Sequence, residues 1–150
     1  MVLTSLHAND SISAMTRLID MGIEPFLLCS SVTCSLAQRL VRTICPKCRE
    51  HYRPTSEALN RLGLPDDREY FRGRGCEFCA KSGYRGRTGL YELFELNSEG
   101  RRMVLSGRQS SEIRHQAEEC GMQSLRDHAK DKVQAGITTV EEVIRVTVEG

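Results

Sequence analysis

Tryptophan is absent, and the four Tyr and four Phe leave the aromatic fraction at 5% of 150 residues, so large aromatic side chains cannot carry one big core. Modest cores are expected, in one ordinary domain or two small units. No charge of one sign dominates: 21 Lys and Arg stand against 20 Asp and Glu, a formal net charge of +1. Nothing global therefore draws the chain to nucleic acid or an acidic membrane, and any basic function must be local. No apolar run approaches the roughly 18 residues of a membrane span. The opening "MVLTSLHAND" has neither the basic nor the apolar segment of a signal peptide, which leads us to expect a cytoplasmic protein.

Cysteine, by contrast, is abundant. In a reducing compartment seven thiols do not read as a disulfide framework, and metal binding becomes the leading reason for paired ones. "CPKC" holds Cys45 and Cys48, and "CEFC" holds Cys76 and Cys79, with 27 residues between the pairs. Each C-x-x-C brings two thiolates together from one tight turn. Two such turns supply the four-sulfur shell that Zn²⁺ favours, with no open position for catalysis. The gap is longer than in compact zinc ribbons, so the site closes a large loop. A redox pair or unconnected thiols remain the alternatives, although no thioredoxin-like βαβ pattern surrounds either pair. His51 is expected to be solvent-exposed, since four sulfurs already fill the shell. Cys29, Cys34 and Cys120 lie on expected helices and are read as small buried hydrophobes.

Along the chain, "VLTSLH" is β-prone and "NDSISAMTRLIDMG" reads as a helix capped by Asn9 or Asp10, with Ile12, Met15, Leu18 and Ile19 as its stripe. "EPFLLCSSVTCSLAQRL" is expected to be a second helix, with Phe26, Val32, Leu36 and Leu40 facing a core. From Cys45 to about Asn97 helical periodicity fades into an irregular insert with too few apolar residues for a core, where "YRGRTGLYELFEL" alternates like a strand or hairpin. From Ser98 short helices follow. One is capped by Ser110 or Ser111; another carries Leu125, Ala129 and Val133; Thr139 and Glu142 form a capping-box pattern before a last one.

Taken together, "LHAND", "AMTRLIDMGIEPFLLCSS", "LAQRLVRTICPKC", "CEFCAKSGYRGRTGLYELFEL" and "GMQSLRDHAKDKVQAGITTVEEVIRV" make the chain resemble the C-terminal part of the type II secretion and type IV pilus assembly ATPases. These are hexameric motors of the secretion superfamily. The resemblance implies a mixed α/β fold: 1–44 as the remnant of a RecA-like ATPase core, 45–97 as a tetracysteine zinc subdomain with a short β-hairpin, and 98–150 as a helical subdomain. It implies that "SLHAND" is the family's histidine box, with His7 sensing the γ-phosphate, and that Arg17 contributes positive charge to ATP hydrolysis. Taken without the family, His7 reads as a capping or packing histidine and Arg17 as part of a solvated helix face. Arg39 and Arg42 also match family positions, on the core surface.

The family's G-x-x-x-x-G-K-[ST] phosphate loop occurs nowhere in these residues, and no strand ending in acidic residues precedes Val2. The expectation is a fragment that cannot hydrolyse ATP alone, since ATP and Mg²⁺ need the missing cradle. In the intact motor the implied partners are the upstream part of the same ATPase, five further copies in a hexamer, and platform proteins at the inner membrane. The alternative is a zinc-stabilised nucleic-acid or protein-binding module. In that reading Arg68, Arg72, Arg74, Lys81, Arg85 and Arg87 supply charge, and Tyr70, Phe71 and Tyr84 are available for stacking, though Glu69 and Glu77 interrupt the cluster. Between the two, no nucleic-acid partner is expected.

Overall fold

A helix start exposes backbone amides that an aspartate can satisfy, and Asp10 does this for the first helix. The structure, a computed structural model, describes residues 2–147. Asp10 accepts from the N–H groups of Ile12 (3.0 Å) and Ser13 (2.7 Å) and opens α1, Ser11–Asp20. Ile12 and Met15 are buried, and Leu18 and Ile19 pack against the same cluster, as their spacing predicts. The β-prone segment before it forms no strand: residues 2–7 are irregular and Val2 and Leu3 are exposed. Among the described residues no neighbouring strand pairs with it.

The second expected helix divides. α2 covers Pro25–Ser31, Val32 turns to extended backbone, and Cys34–Ile44 is strand β1, which pairs with β4, Tyr84–Glu95. Leu36 and Leu40, four residues apart, share a face in a strand as well as in a helix, so their spacing could not distinguish the two. They are 58% and 50% exposed and Phe26 is 70% exposed, so of the four residues expected to face a core only Val32 packs against one. Cys34, on β1, and Cys120, which ends the helix Ser110–Glu119, are exposed instead of buried; Cys29 is buried as expected.

The chain divides into two packing units, each made of two stretches. The first takes the residues up to Gln38 together with Tyr91–Ser124; the second takes Arg39–Leu90 together with the chain from Leu125. In the first, α4 (Ser98–Leu105) packs on α2 and on α5 (Ser110–Glu119), and α1 packs on α2 and α5. Ile12, Met15, Leu28, Phe94, Leu96, Val104 and Ile113 form the core between them. Gln109, not Ser110 or Ser111, caps α5, donating its N–H to Glu112 at 3.0 Å.

The second unit contains β2 (Arg49–Tyr52) antiparallel to β3 (Tyr70–Gly73), with Arg49 opposite Gly73 and Tyr52 opposite Tyr70. It also holds α3 (Ser56–Leu62), α6 (Leu125–Gln134) and α7 (Val140–Thr147). Residues 45–97 are not devoid of a core, because α3 was hidden in the apparent irregularity. Leu59, Leu62, Leu64 and Tyr70 are buried with Val41 and Leu90 against Ala129, Val133, Val140, Val143 and Ile144. Removing a leucine side chain from water is worth about 1.5–3 kcal/mol, so this cluster supplies real cohesion. At α7, Thr139 Oγ1 accepts the Glu142 N–H (3.2 Å), which is half of the expected capping box; the Glu142 carboxylate turns elsewhere.

Candidate metal centre

Each C-x-x-C folds as a tight turn that points both of its sulfurs the same way. Cys45 follows the end of β1 and its carbonyl accepts from Cys48 N–H; Cys76 opens a single 3₁₀ turn, Glu77–Cys79, and its carbonyl accepts from Cys79 N–H at 3.2 Å and Lys81 N–H at 2.7 Å. After that turn Ala80 and Lys81 adopt left-handed backbone, at φ 50 and 60. The two turns cross at Gly73 and Gly83, where a Cβ on either residue would collide with the other's carbonyl oxygen, and they are joined by the Cys45 N–H donating to the Gly83 carbonyl and the Arg74 N–H to the Cys48 carbonyl, both at 2.9 Å.

This crossing brings four sulfurs together. All lie within 4.8 Å of one another, with Cys45–Cys76 at 3.9 Å, Cys48–Cys79 at 3.8 Å and Cys76–Cys79 at 3.7 Å. A tetrahedral zinc site with Zn–S bonds of about 2.3 Å requires sulfur–sulfur edges of about 3.8 Å. The donor set and its spacing therefore fit a four-coordinate metal. A disulfide would need about 2.05 Å, so the same distances do not describe a bonded pair. Cys45, Cys48 and Cys79 are buried and Cys76 is half-buried.

Local donors favour thiolate at part of the cluster. The Cys76 N–H points at Cys79 Sγ (3.2 Å) and the Gly75 N–H at Cys48 Sγ (3.3 Å). The first of these bonds is the main reason that Cys79 is drawn down to about 6. Cys48 is pushed up to about 12, first by burial and then by the neighbouring thiols, in spite of the Gly75 amide. Four thiolates this close repel one another in a dehydrated setting, and a divalent cation is the group that removes the conflict. His51, on β2, lies outside the cluster: its ring is exposed, 3.5 Å from Glu69 and tilted against Phe71 with the ring centres 4.4 Å apart.

The aromatic residues that would serve a nucleic-acid reader are already engaged. Tyr70 is buried and donates to the Pro65 carbonyl at 2.7 Å, which removes it from any stacking platform. Phe71 is covered by the Arg49 guanidinium at 3.7 Å, and Tyr84 by that of Arg42 at 4.1 Å. Of the cations counted beside them, Arg72 is paired with Glu50 and Arg85 donates to the Phe78 carbonyl.

A second feature lies in the other unit. His7 and Arg17 both line a cleft of about 340 Å³, together with Ala8, Asn9, Ser13, Thr16, Asp20 and Ser110. The N-terminus of α1 holds one wall through Asp10, whose carboxylate also meets Arg114 at 2.7 Å. Burial alone would raise Asp10, but the bonds from Ser13 and the charge of Arg114 together bring it below the ordinary 3.8. Glu92, buried on β4, accepts from the N–H and Oγ of Ser11 and from Arg114, fixing the same corner. Sequence reading missed Glu92 because an alternating strand gives no sign that one of its polar positions points inward.

Comparison with known proteins decides the family. A family model described as type II/IV secretion system protein matches residues 1–145. The chain belongs to the type II/IV secretion system protein family. Type II secretion system protein E of Pseudomonas aeruginosa is 47% identical over 99% of this chain and 30% of its own length. Type II secretion system ATPase E of Vibrio cholerae is 44% identical over 99% of the chain and 30% of its own length. Type IV pilus assembly ATPase PilB of Thermus thermophilus is 39% identical over 99% of the chain and 17% of its own length. The chain thus spans less than a third of these secretion-family relatives. Among its described residues no helix is long and apolar enough to cross a membrane.

Proposed function

We propose that this chain forms the C-terminal region of an ATPase that powers type II secretion or type IV pilus assembly. The observation that carries the reading is its similarity, over 99% of its residues, to a secretion ATPase and a pilus assembly ATPase. In this reading residues 1–44 close a RecA-like core, 45–97 form the metal subdomain and 98–150 the helical subdomain; these segments follow the sequence, whereas the packing units interleave it. The intact motor acts as a hexamer on the cytoplasmic face of the inner membrane, with platform proteins as its partners.

Zn²⁺ held by Cys45, Cys48, Cys76 and Cys79 has a structural role, since four sulfurs leave no position for substrate. At the nucleotide, His7 donates a hydrogen bond to a γ-phosphate oxygen and Arg17 offsets charge that builds up during transfer. Support comes from their sharing one cleft, where among the described residues neither side chain has an ion pair or side-chain hydrogen bond. These residues contain no phosphate loop, so they require the upstream part of the protein to bind ATP and Mg²⁺.

The test is reconstitution. The 150-residue chain alone is expected to show no ATP turnover, and joined to the upstream part it is expected to hydrolyse ATP as a ring. His7→Ala should then lower turnover more than nucleotide affinity, because the interaction is made mainly in the transition state. Turnover by the isolated chain that tracks its purity would defeat the motor reading, and an unchanged rate in His7→Ala would remove the role of the histidine alone. Elemental analysis is expected to give one zinc per chain.

A further inference from the structure

The second unit carries a concentration of positive charge that neither the metal centre nor the nucleotide reading uses. Arg39 and Arg42 on β1, Arg87 on β4 and Arg145 on α7 line a cleft of about 450 Å³ with Leu40, Val146 and the carboxylate of Glu142. Among the lining residues, four guanidiniums stand against one carboxylate, a formal sum of +3.

Glu142 is the organising group. Its side chain is fully buried, and it accepts from Arg42 Nε (2.9 Å) and Nη2 (2.7 Å), from the Arg42 backbone N–H (2.9 Å), and from Arg145 Nε (3.1 Å) and Nη2 (2.7 Å). Arg42 is held further by Tyr84, whose ring lies 4.1 Å beneath its guanidinium. These bonds use one edge of the Arg42 fork and fix its direction, leaving Nη1 for something else. Arg39 and Arg87 have no ion pair or side-chain hydrogen bond among the described residues.

A carboxylate that already neutralises one charge and orients the fork is the arrangement of a preorganised anion site. The excess charge selects the ligand class. One carboxylate side chain would leave most of it unbalanced, whereas a phosphomonoester carries roughly −2 at neutral pH and a diphosphate about one more. Guanidinium forks also match phosphate oxygens in pairs. We propose that this cleft binds a phosphate-bearing ligand, with Arg39, Arg42 and Arg87 as its direct contacts and Glu142 as a positioning residue. It is separate from the cleft of His7 and Arg17, with which it shares no lining residue. The same chemistry is offered by a free diphosphate and by a phosphorylated lipid headgroup.

The probe is inorganic pyrophosphate, titrated into the zinc-loaded chain by calorimetry and followed by amide chemical shifts. One-to-one binding is expected, with shifts around residues 39–42, 87 and 145. Arg39→Gln and Arg87→Gln should each weaken it about tenfold or more, through lost charge-assisted bonds, while leaving the melting temperature of the free protein unchanged. Arg17→Gln should leave the affinity unchanged. Vesicles of phosphatidylcholine with and without a phosphoinositide form the second arm. Arginine-dependent binding to pyrophosphate alone assigns a soluble ligand, and arginine-dependent binding that requires the phosphoinositide assigns a headgroup. The proposal is overturned if neither probe binds at millimolar concentration, if binding survives both substitutions, if Arg17→Gln abolishes it, or if only a polyglutamate peptide binds.

Discussion

The two packing units each bury one glutamate against arginine, and they differ in what closes the fold around it. In the first, Glu92 meets Ser11 and Arg114 inside a helical cluster whose cohesion is apolar. In the second, Glu142 meets Arg42 and Arg145 beside an apolar core of its own, but the two turns at Cys45 and Cys76 meet through a glycine crossing, a few backbone hydrogen bonds and four sulfurs, with little apolar surface. Burial suffices where helices pack face to face. Where the chain makes sharp turns with little to bury, four converging sulfurs are placed to hold a metal ion in that role.

Four measurements test this contrast. The largest effect is expected from removing the metal, by chelation or by Cys76→Ser, since structural zinc binds small peptides with roughly 10–16 kcal/mol. Hydrogen exchange should then accelerate first at both turns and at β2 and β3, while α1, α2, α4 and α5 keep their protection. Equal acceleration throughout would show one cooperative unit and end the contrast. Next, Leu59→Ala should cost about 2–5 kcal/mol in urea unfolding, because a fully buried leucine leaves a cavity under α7. A cost below about 1 kcal/mol would return residues 45–97 to the coreless insert their sequence suggests.

The third concerns pH. Burial opposes ionisation of Glu142, but the bonds from Arg145 and Arg42 outweigh it and hold the carboxyl at about 2, below the ordinary 4.5. A lowered folded value means stability that is complete above about pH 4.5 and lost as pH falls towards 2. The contribution is no more than about 3 kcal/mol, given that both arginines are half-exposed. Glu142→Gln should flatten the pH dependence of stability in that window; zinc release is common to both proteins and cancels in their difference. The smallest effect is expected at Asp10→Ala, about 1 kcal/mol, seen as faster exchange in the first turn of α1 and around Arg114 on α5, which loses this partner.

What could be read from the sequence follows the range of the forces involved. The cap at Asp10, the stripe of α1, the burial of Ala129 and Val133, and the two C-x-x-C pairs are local patterns, and each is found where the sequence indicates. α3 escaped notice because Leu59 and Leu62 form a hydrophobic face only when α7, far along the chain, covers them. β1 was taken for helix because spacing by four satisfies both geometries, and ladder hydrogen bonds, which sequence spacing cannot register, decided between them. Tyr70 looked like a stacking platform among arginines, yet a phenol with a carbonyl in reach is well suited to an interior. The cleft around Glu142 was equally hidden, since its arginines come from β1, β4 and α7.

The order of the two stretches that build the second unit has a consequence during synthesis. All four sulfurs precede α6 and α7 in the chain, so a ribosome adding about 5–20 residues per second exposes a complete metal-binding set several seconds before the helices that cover Leu59 and Leu62 emerge. With the proposed zinc, metal capture by the nascent chain would fix the two turns first. Until the last helix is made, the leucines of α3 have only Val41, Leu64, Tyr70 and Leu90 of their buried cluster to pack against.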